Sequence, residues 1–342
     1  MRKEILAFLI SPLIVTAAIV TFIYENTVTD RDVRYQKPFK DFGKYHSAYQ
    51  KIVILQDDLD ITLRKKGKKW LITSQDNHLA DTKKISRILN WISSFEIIAK
   101  KTSTPKLYPR IGLANPSPAG EKNIEGSGTR IMIYGGQKAP LFDVIVGDIL
   151  RSYKMRDKNR FFARYGNKGA FLIESLPLPD FNRSAFFDRS QIGFPAFEDI
   201  SRVTTYLSGE KQYQLKALTD KKDGSIAFYP ETIPIGKRLL YPNIGTDFVH
   251  AVLHKISPFG AAKVDYNDDI APNHIVLTRR NGHNIMVNFR RSQNDIYYMV
   301  VLHDGLDKTG KIYAYRIPEK DYKGVLQPFS AFLTDDVTQQ QN

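Results

Sequence analysis

Two stretches of the chain alternate apolar and polar side chains with the two-residue period of a half-buried strand, and each alternation breaks at a glycine. In the first, KIVILQDDLDITLRKKGKKWLITS (51–74), the break at Lys66-Gly67-Lys68 predicts strands joined by tight turns, with Trp70 covering the core behind them. Asp81 then stands as the N-cap of a helix, because Ile85, Ile88, Leu89, Ile92 and Phe95 recur at helical spacing and form one apolar stripe. FEIIAKK (95–101) leaves that helix and returns toward the sheet. In the second, ISRVTTYLSGEKQYQLKAL (200–218) alternates about another glycine turn, GSIAFYP adds a segment, and a helix from about Thr246 carries Val249, Val252, Leu253 and Ile256 as the matching stripe. FGAAKVDY (259–266) takes the place of FEIIAKK, so the order of strands, helix and return predicts an internal duplication.

Between the copies, TRIMIYGGQKAPLFDVIVGD (129–148) and RFFARYGNKGAFLIESL (160–176) read as strands bounded by Gly and Asn turns. HIVLTRRNGHNIMVNFRRSQNDIYYMVVL (274–302) reads as a three-stranded meander in which Asn281-Gly282 predicts a type I′ turn. DYKGVLQPFSAFL (321–333) predicts a helix broken at Pro328. The expected class is α+β: an N-terminal transmembrane helix, then two repeated units of antiparallel strands plus one helix. The expected divisions are 1–24 for a cytoplasmic stub and spanning helix, 25–45 for a stalk, 46–195 and 196–333 for the two repeat units, and 334–342 for a disordered tail.

ILAFLISPLIVTAAIVTFIY (5–24) holds no charged residue and has the length to cross a bilayer of about 30 Å as a helix. A cleaved signal peptide is the rival reading, with Thr16 to Ala18 as its cleavage site. Arg2 and Lys3 favour a cytoplasmic N-terminus, although Arg31, Arg34, Lys37 and Lys40 follow on the other side. Long C-terminal domains cross largely regardless of charge, so the expected topology is single-pass, with the body outside the cytoplasm. A net charge of +14 suits polyanionic partners and equally suits lysine spread evenly through the chain. The lack of cysteine excludes disulfides, thiolate zinc sites, iron–sulfur clusters and Cys nucleophiles.

KKWLIT, DTKKISRILNWISSF, LYPRIGLANP, FDVIVGD and RFFARYGNKGAFLI, in that order, together resemble the domain of unknown function 4340 family, and FFDRSQIGFPAFEDISRVT is similar to that family's link into its second half. The resemblance runs from about residue 50 to about 333 and departs from the family pattern in a longer insert at 117–128 and in Ile111 before Gly112-Leu113. It implies a bacterial envelope protein anchored at its N-terminus, with its body facing the periplasm or the cell exterior; the expected location is the inner membrane, with the N-terminus cytoplasmic and the body periplasmic. It also implies an accessory role beside ABC-2 type exporters and their gliding-motility-associated auxiliary subunits, and it brings no catalytic residues.

The residues themselves carry no P-loop, G-x-G-x-x-G, G-x-S-x-G or H-E-x-x-H. Ser-x-x-Lys occurs at Ser103–Lys106, which contains Pro105, and at Ser208–Lys211, in a turn; neither sits on the helix that the chemistry needs. Asp247, His250 and His254 share one face of a helix and are the candidate metal ligands, set against a solvated helix face. Arg160, Arg164, Arg280 and Arg290 are the candidate anionic-ligand surface, and strand alternation puts Arg279 and Arg280, like Arg290 and Arg291, on opposite faces. The basic strip RKKGKK reads as a solvated hairpin turn, with no nucleic-acid signature beside it. The leading expectation is a non-enzymatic accessory or scaffold protein of an ABC-type export system, without cofactor, whose repeats present sheet edges and a groove. The alternatives are a periplasmic binding module for an anionic polymer or lipid, and a metal-dependent enzyme centred on His250 and His254.

Overall fold

The computed structural model describes residues 36–56, 59–117, 124–150, 158–166, 168–181, 186–265, 270–304 and 311–336. The run at 5–24, the stalk as far as 35 and the tail from 337 lie outside them. Among the described residues no helix is long and apolar enough to cross a membrane. The architecture is α+β and mainly antiparallel sheet. The chain divides into two compact units, Met1–Ser74 with Thr82–Phe181, and Gln75–Asp81 with Asn182–Asn342. The expected division at 195/196 therefore falls at 181/182, and the short segment 75–81 joins the second unit.

The chain runs through β1 (Lys51–Gln56), β2 (Leu59–Lys66), β3 (Lys69–Ile72), β4 (His78–Leu79), α1 (Thr82–Ser93), β5 (Glu96–Lys100), β6 (Thr129–Tyr134), β7 (Phe142–Ile149), β8 (Asn159–Tyr165) and β9 (Ala170–Ser175). In the first unit the strand order is β3-β2-β1-β6-β7-β8-β9-β5, antiparallel at every step. Lys66 pairs with Lys69 across a two-residue turn in which Gly67 has φ of 61°. Trp70 is buried behind it, with the Lys65 ammonium 6.0 Å from its ring centroid, so the lysines are the wet side of a hairpin. The helix stripe works as the spacing predicts: Ile85, Ile88, Leu89, Trp91 and Ile92 are buried. Trp91 lies tilted against Phe161 of β8, with ring centroids 5.5 Å apart, and donates its indole N–H to the Ser175 hydroxyl at 2.9 Å.

The described end of the expected stalk, from 36 to 45, is part of this unit. Phe42–Ala48 forms a 3₁₀ helix, and Phe39 and Phe42 lie 5.4 and 4.6 Å from the ring of Phe142. Burying aromatic surface of this size is worth about 1.5–3 kcal/mol per ring, which overrides the polar composition around it. The Ile97 N–H donates to the Gln36 carbonyl at 2.9 Å, which occupies the outer edge of β5.

The second unit continues with β10 (Ile200–Leu207), β11 (Glu210–Thr219), β12 (Ile226–Pro230), β13 (Lys237–Leu239), α2 (Ile244–His250), β14 (Gly260–Asp265), β15 (Asn273–Arg279), β16 (Asn284–Arg291), β17 (Tyr297–His303), β18 (Lys311–Ile317), α3 (Glu319–Val325) and β19 (Leu333–Asp335). Its main sheet has the order β12-β11-β10-β15-β16-β17-β18-β14. Replacing each strand of the first order by its counterpart gives this one: three strands, a helix, a strand that crosses to the far edge, then four strands inward. α2 begins at Ile244, continues as a π-helical turn, Ala251–Lys255, and buries Phe248, Val249, Val252 and Leu253.

Both edges of this sheet are closed by its own side chains. The Phe228 N–H on β12 donates to Thr246 Oγ1 at 3.0 Å, and on β14 the N–H groups of Ala261 and Lys263 donate to Gln75 Oε1 and Asp76 Oδ2, each at 2.8 Å. Strand edges so occupied do not offer a pairing template.

One turn differs from expectation. Asn281-Gly282 is not type I′, since only Gly282 of its loop has positive φ, at 88°. The Gly282 N–H donates to the Arg279 carbonyl, while the Arg280 N–H is drawn to the Asp199 carbonyl at 2.7 Å, which fixes a longer loop. The two positive φ values of a type I′ turn occur instead at Ser208 and Gly209, 53° and 84°. The tail is also not wholly unstructured: Leu333–Asp335 pairs with Lys237–Leu239, and α3 ends before Pro328, after which Phe329–Phe332 forms a 3₁₀ turn.

Candidate functional site

In the first unit, the sheet face opposite α1 carries Asp143 and Ile145 on β7, Arg160, Phe162 and Arg164 on β8, and Ala170 and Leu172 on β9, as the register dictates. A strap covers it. Pro105–Ile111 is a 3₁₀ helix, and Leu113 is fully buried in a cluster with Ile145 and Ala170, flanked by Tyr108, Ile111 and Phe162. The strap sits so close that a Cβ on Gly147 would be 2.3 Å from the Ile111 carbonyl oxygen, and a Cβ on Gly112 would be 2.6 Å from the Asp148 carboxylate. Gly112 also has φ of 68°. The segments LYPRIGLANP and FDVIVGD are thus the two halves of one contact, and Ile111 packs within it.

Arg164 belongs to the strap. Its Nε donates to the Leu113 carbonyl at 2.9 Å and its Nη2 to Asn115 Oδ1 at 2.7 Å, while Tyr108 lies against the guanidinium at 5.1 Å. Burial lowers its pKa from the ordinary arginine value, partly offset by Tyr108. Arg160 donates to Glu174 at 2.9 Å, and Lys158 to the other carboxylate oxygen at 2.9 Å. Burial pushes the Glu174 carboxyl up, but Lys158 and Arg160 outweigh it and hold the group below the usual value. Near the end of this sheet a cavity of about 620 Å³ is lined by Gln56, Ser127, Thr129, Asp148, Leu178 and Phe181, among others.

Arg280 and Arg290 belong to the second unit. Arg280 lies in the β15–β16 turn rather than on a strand, and its Nε donates to the Glu198 carbonyl at 2.7 Å. Arg279 is paired with Asp199 at 3.1 Å and Arg291 with Asp295 at 2.6 Å. Arg280 and Arg290 stand at opposite ends of β16, so the structure does not gather the four candidate arginines into one surface. Arg290 instead lines a groove of about 440 Å³ on the sheet face away from α2, together with Val264, Tyr298, Val300, Leu302 and Ile312. This face is the counterpart of the one the strap covers in the first unit. There β5 and β6 are joined by 101–128, whereas β14 and β15 are joined only by 266–272.

Asp247, His250 and His254 are not brought together as metal ligands; among the described residues no group of three His, Cys, Asp or Glu side chains is arranged to hold a metal ion. The π turn after His250 breaks the spacing that puts positions 247, 250 and 254 on one face. The His250 ring stacks on Phe197 at 4.2 Å and the His254 ring stands 5.7 Å from it. His254 is held below the ordinary histidine value by burial first, then by His250 and Arg189. Arg189, which no sequence pattern singled out, donates to the carbonyls of Ile256 and Leu253 at 2.8 and 3.1 Å, closing the open end of the π turn with a cation.

A second residue invisible in the sequence is His78. It is fully buried and enclosed by Phe187, Tyr313 and Tyr315 at ring distances of 5.0, 4.8 and 5.6 Å. Its Nε2 lies 3.2 Å from the Tyr315 hydroxyl, which donates to the Gln191 carbonyl at 3.0 Å. Burial holds the imidazole below its ordinary pKa, against the Leu79 carbonyl and Asp188. It ties β4 into the second unit's core.

No protein-family model, no curated protein and no solved structure matches this chain.

Proposed function

We propose that this chain is a non-enzymatic accessory protein of the bacterial cell envelope. Residues 5–24 hold it in the inner membrane with the N-terminus cytoplasmic, and the periplasmic body associates with an ABC-type export system. The body is a tandem duplication of one sheet-and-helix unit, as the identical strand orders suggest. The observation that carries the interaction reading is the unequal treatment of equivalent faces among the described residues: the first unit covers its own with a strap, while the second has a groove. Because the edges of the second sheet are occupied by Thr246, Gln75 and Asp76, a partner meets a face rather than extending the sheet. The motif order resembling the domain of unknown function 4340 family supports the same placement beside exporters.

The absence of cysteine permits a clean test. A single cysteine at exposed Lys221 or Gly136 reacts with a membrane-impermeant maleimide in intact cells with a permeabilised outer membrane if the body is periplasmic. Labelling only after the inner membrane is lysed would overturn the reading.

A further inference from the structure

The register of the first sheet sets like charges against one another. On the face opposite α1, Lys51 of β1 is the direct partner of Arg64 of β2, and two residues further along β2, Lys66 is the direct partner of Lys69 on β3. Lys68 stands in the turn beyond them. Lys138 lies in the β6–β7 loop, which begins beside β1 where the Gln50 N–H donates to the Tyr134 carbonyl at 2.9 Å. Arg64, Lys66, Lys68, Lys69 and Lys138 are exposed, and Lys51 lies half-buried with its ammonium 4.8 Å from the Tyr134 ring centroid. Among the described residues none of these six cations has an ion-pair partner. The nearby carboxylates are accounted for. Asp60 shares the face but stands about 14 Å from Arg64 along β2, at ~3.4 Å per residue. Asp143 is bridged to Arg130 at 2.6 Å, and Asp41, before the 3₁₀ helix on the α1 side, has a partner of its own. Like charges directly opposite each other weaken a sheet. Lysine on an edge strand guards that edge against pairing, but Lys51 and Arg64 sit on strands inside the sheet, so edge protection does not account for them.

We infer that this corner of the first unit docks on the anionic phospholipid headgroups of the bilayer that anchors the chain. The repulsion stored between Lys51 and Arg64 and between Lys66 and Lys69 is relieved when a negative surface comes against them, so the cost to the fold is returned on docking. Five of the six cations are lysines, which act as point charges on long flexible stems rather than as forks for one phosphate. They spread over the turns and faces of four neighbouring strands, β3-β2-β1-β6, about 14 Å across at ~4.8 Å per strand. Such an arrangement fits a charged surface better than a single small anion. Trp70 is buried behind the turn rather than offered to lipid, so the contact is electrostatic and not insertive. The tether makes the encounter local. The expected span ends at Tyr24 and the described chain begins at Gln36, and residues 25–35 cannot reach further than about 40 Å. The docking rests on the membrane-anchor part of the proposed function and is independent of any permease.

The test uses the full chain reconstituted in vesicles, with Gly136→Cys carrying a donor fluorophore and a rhodamine-headgroup lipid as acceptor; a Cβ at 136 meets nothing nearer than 3.8 Å. Energy transfer is expected to be higher in phosphatidylcholine vesicles containing phosphatidylglycerol than in phosphatidylcholine alone, and to fall to the latter level in 1 M salt, where the screening length is about 3 Å. Each cation near an anionic surface is worth roughly fivefold, so Lys66→Glu/Lys68→Glu/Lys69→Glu is expected to lower the docking constant by about a hundredfold or more. Unchanged emission from buried Trp70 shows that this variant keeps the hairpin. Lys216→Glu/Lys221→Glu/Lys222→Glu, at exposed positions of the second unit, changes the net charge equally and is expected to leave transfer as it was. Flotation after a carbonate wash reports the anchor separately. An anchored chain whose transfer ignores lipid charge and salt would overturn the docking and leave the anchor standing. For a chain that washes off, the docking is read from salt-sensitive flotation with the phosphatidylglycerol vesicles, and its absence would overturn the proposal. Equal losses in the two triple variants would overturn it as well, as would binding of polyphosphate without any response to phosphatidylglycerol, which gives the corner to a soluble polyanion.

Discussion

Gly147→Ala puts the strap to a quantitative test. The new Cβ would stand 2.3 Å from the Ile111 carbonyl oxygen and 2.8 Å from that of Gly112, both backbone atoms, so neither can swing aside and the strap must lift. Overpacking costs about 1–3 kcal/mol, and exposing Leu113, now fully buried, adds about 1.5–3 kcal/mol. A loss of about 3–5 kcal/mol is a large fraction of the ~5–15 kcal/mol that holds a domain together. Both tryptophans, Trp70 and Trp91, lie in the first unit, so their emission in a urea titration reads that unit. With a slope of about 2 kcal/mol per molar, the midpoint falls by roughly 1.5–2.5 M. Gly136→Ala, where the nearest atom would be 3.8 Å away, is the control and changes stability by no more than about 0.5 kcal/mol. Equal midpoints for the two variants would refute the packing described.

The second unit responds to pH through His78. Its folded pKa lies below the unfolded value of about 6.5, so the unfolded state binds more protons in the window beneath 6.5; stability is full above that pH and falls below it by up to ~1.4 kcal/mol per pH unit, and His78→Phe flattens the fall in tyrosine-monitored melting between pH 7 and pH 5.5. The slope does not vanish, because His303 is also lowered, by burial first and then by Arg279. Arg189→Ala removes two charge-assisted hydrogen bonds from the π turn and costs about 2–4 kcal/mol, with Arg189→Lys recovering only part of the loss in the same assay. Ser208→Asn, at a φ of 53°, raises the melting temperature through a gain of about 0.5–1 kcal/mol, whereas Asn281→Gly gains nothing there.

Periodicity made the strands and α1 legible because each depends on neighbours two to four residues away. The hairpin at 66–69 and the stripe from Ile85 to Ile92 needed no tertiary information. The strap was legible only as an unexplained pair of glycine motifs, since Gly112 and Gly147 are far apart in sequence and meet through the β5–β6 connection. The loop at Asn281 escaped the pattern because the Arg280 N–H finds a partner in Asp199, a tertiary contact that outweighs turn propensity. Nothing in AVLHK announces a π turn, and the carbonyls at its end are met by Arg189, well upstream. His78 looked like an ordinary strand residue until Tyr313 and Tyr315 came around it. The four arginines do not form one surface for the same reason: composition marks them alike, but only the fold pairs Arg160 with Glu174, Arg164 with the Leu113 carbonyl and Arg280 with the Glu198 carbonyl.

The accessory reading is tested most directly by copurification. The full chain, tagged at its C-terminus, is drawn from native membranes in mild detergent and the retained proteins are identified by mass spectrometry against an untagged control. The account predicts reproducible, stoichiometric recovery of an ABC permease or its auxiliary subunit. Recovery of the chain alone, under conditions that preserve known membrane complexes, would contradict it.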